Sequence, residues 1–114
     1  MQDLYNRILL ILEDGEEIPL RNGNIYRYIG PTSTRINGQQ FPFAFEYEIS
    51  ARNHKKVTVN LVYEMYEHHL LNGVMPIRSE MLPIFPFELC GRPCNFTVAV
   101  HIVLKLLRDD TKNR

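Results

Sequence analysis

The sequence has no apolar run long enough to cross a bilayer. Its most apolar stretch, residues 95–107, is interrupted by Thr97, His101 and Lys105, whereas a hydrocarbon core about 30 Å thick needs about 20 apolar residues. It has no surplus of charge of either sign, with 13 Lys and Arg against 13 Asp and Glu. Any potential that attracts phosphate must therefore be local rather than a property of the whole chain. Cysteine is scarce, limited to Cys90 and Cys94, which excludes a disulfide-built scaffold and offers no second close pair of zinc ligands. No glycine-rich loop has the spacing that cradles a phosphate, and no repeat, heptad run or low-complexity linker is present, so the nucleotide-binding loop, the solenoid and the coiled coil lose their sequence support. The opening residues Met-Gln-Asp-Leu-Tyr lack the basic start and apolar run of a secretory signal. The expectation is a cytoplasmic protein with reduced thiols, no membrane association and no cofactor.

What is present is ordinary globular material: 114 residues, 45% hydrophobic and 23% charged, enough for one domain with its own core. The expected division within that single domain (1–114) is a helix plus antiparallel sheet over 1–50 and a helical half over 51–114. Charge is segmented although it sums to zero. Residues 1–17 carry one basic and five acidic groups, 18–60 six and two, 61–89 one and four, and 90–114 five and two. Two basic segments thus alternate with two acidic ones.

Residues 3–13 place Leu4, Ile8, Leu9 and Leu12 on one helical face, with Asp14-Gly15 as the stop. From 22 to 50 the period becomes two, and Asn22-Gly23 and Asn37-Gly38 are turn signals. The expectation there is a small three-stranded antiparallel sheet. Phe41, Phe43, Phe45 and Tyr47 form one aromatic face of its clearest strand and Tyr26 and Tyr28 alternate likewise. Pro42 indicates an edge position or a strand start. Residues 51–56 are polar and basic, after which Thr58 caps a helix running to Asn72 and closed by Gly73. A short helix follows Pro76, and 83–93, with three prolines, reads as an irregular connection. Asn95 is the expected N-cap of a last helix over 96–109, beyond which 111–114 form a frayed tail.

Helix, short helix, connection and helix, preceded by a small sheet, is a winged-helix-like order within an α+β fold. It favours a small DNA-binding protein, a regulator or a factor of defence or mobile-element machinery, with the last helix in a groove of duplex DNA. On that reading Arg92 and Asn95 stand at the entrance of the last helix and Thr97, His101 and Lys105 form its polar stripe. Arg78 and Ser79 begin the short helix before it, and Arg52, Lys55 and Lys56 clamp phosphate at the margin. The same stripe also suits the solvent side of a core helix. A second reading is an interaction module or homodimer whose apolar interface is Ile84, Phe85, Phe87 and Leu89. A third is a metal-dependent enzyme, although His54, His68, His69, His101 and the two thiols lack ligand spacing, and Glu46 and Glu48 before Lys55 and Lys56 read first as surface charges.

Overall fold

The first helix forms where the sequence alternates apolar groups at helical spacing, but it is shorter than the pattern. α1 (Gln2–Ile11) ends at Leu12, whose backbone is already extended, and Tyr5, Ile8 and Leu12 are buried on the core side. A computed structural model describes residues 1–20 and 23–112. The remaining elements are β1 (Glu17–Pro19), β2 (Ile25–Ile36), β3 (Gln39–Ser50), β4 (Asn53–Thr58), α2 (Val59–Asn72), α3 (Arg78–Met81), α4 (Pro86–Leu89) and α5 (Pro93–Lys112).

The sheet has four strands in the order β1-β2-β3-β4, all antiparallel, in place of the expected three. Residues 22–50 supply two strands of 12 residues each, and the two short edge strands come from segments that look polar in the sequence. β4 is built largely from the polar and basic run at 51–56, which carries no strand signal of its own: pairing with β3 dictates its extended backbone, and only its last two residues are buried. Asn37 and Gly38 both take positive φ (49° and 80°), the two-residue turn that matches strand twist. Of the Asn22-Gly23 turn signal, Asn22 lies outside the described residues, as do Asn113 and Arg114 of the expected tail.

Tyr26, Tyr28, Phe43, Phe45, Tyr47 and Val57 face the helices. Tyr5 stands on this surface with its ring 5.0 Å from both Phe43 and Phe45, and its hydroxyl donates to the Ala44 carbonyl at 2.7 Å. α2 and α5 complete the layer through Leu61, Val62, Met65, Val98, Ile102 and Leu106. The opposite face of the sheet is open. Two register shifts interrupt the β2–β3 ladder: between Tyr28 and Gly30 the extra residue is on β2, and between Ala44 and Phe41 it is on β3, each bending its strand as a bulge does.

In the helical half, α2 matches its expected bounds, with the Thr58 side chain accepting from the Leu61 N–H and Gly73 in the left-handed conformation. The connection before the last helix is not wholly irregular, since it contains α4. The last helix starts at Pro93 and runs to Lys112, so Asn95 is inside its first turn rather than at its cap. Proline is suited to a first turn because its missing N–H would have had no helical partner there.

Candidate nucleic-acid interface

The register of the sheet decides which charged side chains meet. Across the open face, Arg27 on β2 is opposite Glu48 on β3, which is opposite His54 on β4; one row further on, Gly30, Glu46 and Lys56 align in the same way. The His54 ring contacts Glu46 at 2.7 Å and Glu48 at 3.4 Å. These carboxylates, Glu46 first, raise the His54 pKa above the ordinary histidine value. Lys56 Nζ donates to the Ser33 carbonyl at 3.1 Å, which ties β4 across β3 to β2.

Beyond the edge strands, β2 and β3 continue alone. β4 has its last partner at Ala44, and β1 reaches no further along β2 than Arg27, so residues 31–43 form a two-stranded arm around the Asn37-Gly38 turn. Pro31 and Pro42 lie on this arm, where a missing N–H costs no ladder bond to a further strand. Ser33, Arg35 and Gln40 are exposed on it. From residue 18 to residue 45 there is no Asp or Glu, while Arg27 and Arg35 stand on the solvent side of β2.

The expected site residues are dispersed. Lys55 and Lys56 point to opposite faces of the sheet, as a period of two requires: Lys55 is half-buried beside Tyr47 in register, and Lys56 is exposed. Arg52 occupies the β3–β4 turn at a positive φ of 66°, at the end of the sheet away from the arm. Arg78 is structural in its contacts, with its guanidinium donating to the Leu89 carbonyl at 2.5 Å. Ser79 and Arg92 are exposed. Asn95 is 1% exposed; its amide donates to the Glu88 carbonyl at 2.7 Å and its oxygen accepts from the Tyr47 hydroxyl, which leaves it no access to a groove.

The polar stripe of α5 is also engaged. Thr97 donates to the Pro93 carbonyl, while His101 and Lys105 close on the two oxygens of Glu16 at 2.6 and 2.5 Å. Glu16 lies in the α1–β1 loop. Burial raises its pKa, but hydrogen bonds from Lys105 and His101 outweigh this and hold it below the ordinary glutamate value. The expected apolar interface divides as well: Ile84 and Phe87 are 56% and 60% exposed, whereas Leu89 is fully buried and Phe85 packs against the core.

Sequence reasoning passed over three groups that organise this region. Glu88 is buried at the start of α2, its oxygens accepting from the Thr58 N–H at 2.7 Å and the Thr58 hydroxyl at 2.8 Å. Burial nevertheless pushes its carboxyl above the usual range. The signal available was a lone carboxylate inside the apolar run Ile84 to Leu89. Arg27 and Arg35 were legible from their alternation with Tyr26, Tyr28 and Ile36. Among the described residues no three His, Cys, Asp or Glu side chains converge on a metal position. No family model matches the chain, and comparison with curated proteins and with solved structures yields no match.

Proposed function

We propose that the protein binds duplex DNA through the open face of its sheet and the β2–β3 arm. The observation that carries this is the carboxylate-free stretch from 18 to 45, which takes in the whole arm with its exposed Arg35; Arg27, which reaches Glu17 at 3.7 Å, and Lys56 flank it on the open face, with Glu48 and Glu46 between them. The major groove admits a two-stranded β-ribbon as well as a helix. Arg27, Arg35 and Lys56 supply phosphate contacts, and Ser33, Asn37 and Gln40 bring the side-chain types that reach base edges. Placing α5 in the groove in a winged-helix manner has less support, because His101 and Lys105 are held by Glu16 and Asn95 is buried.

The test is binding of a fluorescent mixed-sequence duplex across a salt series. Each phosphate contact contributes roughly 0.9 to the log–log salt slope, so replacing Arg27, Arg35 and Lys56 by Gln together should lower the slope by roughly 2 to 3. Replacing the exposed Ser79 should leave the slope unchanged. Absence of binding at low salt removes the proposal.

The exposure of Ile84 and Phe87 favours a second reading, an interaction module or homodimer. These side chains flank a cleft of about 400 Å³ between the arm, α2 and α4. A sedimentation experiment that finds monomer throughout a concentration series would remove the homodimer.

A further inference from the structure

A second cleft, of about 780 Å³, runs between α5 and β1. Its size is within the range of small-molecule sites, roughly 300–1,000 Å³. One wall is Ile18, Pro19 and Leu20; the other is Phe96, Val100 and Leu104, which recur every four residues and so share one face of α5. From Cys94 to Arg108, both lining residues, the helix rises about 21 Å. The cleft is therefore a long apolar trough.

Among the described residues, two of the polar side chains along the trough are engaged within the fold, Tyr26 stands on the apolar β1 side, and the one charged side chain left over is at the far end. Thr97 bonds Pro93 and His101 bonds Glu16. Arg108, at the far end, is exposed and has no hydrogen bond or ion pair among the described residues. The neighbouring Asp109 and Asp110 both pair with Arg7. An apolar wall that ends in one unpaired guanidinium complements an amphiphile with one anionic head, and a guanidinium takes a carboxylate through two parallel hydrogen bonds.

We propose that this cleft binds a long-chain carboxylate, with its alkyl chain between β1 and the Phe96–Val100–Leu104 face and its head on Arg108. An added peptide strand fits less well, because β1 is only three residues long and Pro19 has no N–H to donate along that edge. A neutral apolar ligand would leave Arg108 without a role.

Cys94 lines the cleft and is half-buried, whereas Cys90 is exposed and is not among the lining residues. In a Cys90→Ser variant the remaining thiol therefore reports occupancy. The experiment titrates that variant with monomeric laurate below its micelle concentration and follows maleimide labelling of Cys94. 1-Dodecanol and dodecyltrimethylammonium serve as neutral and cationic controls, and far-UV circular dichroism monitors the fold. The expected result is saturation at one laurate per chain and slowed labelling. Arg108→Gln should weaken laurate about tenfold or more while leaving 1-dodecanol unchanged. Leu104→Asp, at a position already 40% exposed, should abolish laurate binding with the fold intact. Amide chemical shifts of the unmodified chain give the same readout without the cysteine change and should move along α5 from Cys94 to Arg108. Labelling unaffected by laurate, equal binding of dodecyltrimethylammonium, or an Arg108→Gln variant that binds laurate as before would each overturn the proposal.

Discussion

Glu88 shows how one side chain joins three elements. Its carboxylate receives two hydrogen bonds from Thr58 at the start of α2, and its backbone carbonyl receives one from Asn95 in α5. Burial outweighs the two donors, so the folded protein holds the Glu88 proton more tightly than the ordinary value of 4.5. The unfolded chain binds less proton in that window, and stability must fall as pH rises from 4.5 through the raised folded value. Glu88→Gln keeps an acceptor for the Thr58 N–H and removes the titration. Urea unfolding across pH 4 to 8 (roughly the window in question) should show the stability of Glu88→Gln relative to the parent rising with pH and levelling above the folded value. A difference that stays flat across the series would show that burial does not raise the Glu88 pKa. Glu16 shifts the other way: its lowered pKa gives a contribution present above 4.5 and lost as pH falls through the folded value.

At the scale of elements, the start of α2 is where local and long-range requirements coincide. Thr58 caps the helix through Leu61 and donates to Glu88. Thr58→Ala should therefore cost about 2 kcal/mol, roughly one for the cap and one for the lost carboxylate bond, and Thr58→Ser should recover most of it. The check is a shift in denaturation midpoint with an unchanged slope. α2 was legible because its signals, Thr58 and Gly73, act on neighbouring residues. β4 was not legible because His54, Lys55 and Lys56 carry no apolar alternation, and their strand exists only through pairing with β3. Asn95 obeyed a local capping rule and still took another role, since Pro93 opened α5 earlier and the Asn95 amide turned to Tyr47 and Glu88. The polar stripe of α5 could be read, but its partner Glu16 is 85 residues away from His101. The aromatic face of β3 could be assigned to the core because alternation leaves its direction few choices.

For the molecule as a whole, Arg7 connects the two ends of the described chain. It bonds Asp109 at 3.0 Å, Asp110 at 2.6 Å, the Leu106 carbonyl and the Tyr66 hydroxyl. The Arg7 side chain is 33% exposed, so solvent and salt weaken the group: Arg7→Met should cost about 1 kcal/mol at low ionic strength and less in molar salt. Comparing unfolding midpoints of parent and variant across a sodium chloride series checks this, and a cost independent of salt would show that packing rather than charge holds α1 in place. The same contact has a temporal side. Arg7 and Asp109 are 102 residues apart, and at about 5–20 residues per second a ribosome needs about 5–20 seconds to cover that distance. Throughout that interval α1 has been made while α5 is absent or incomplete, so the faces of Ile8 and Leu12 wait in the nascent chain for the cover that α5 will supply.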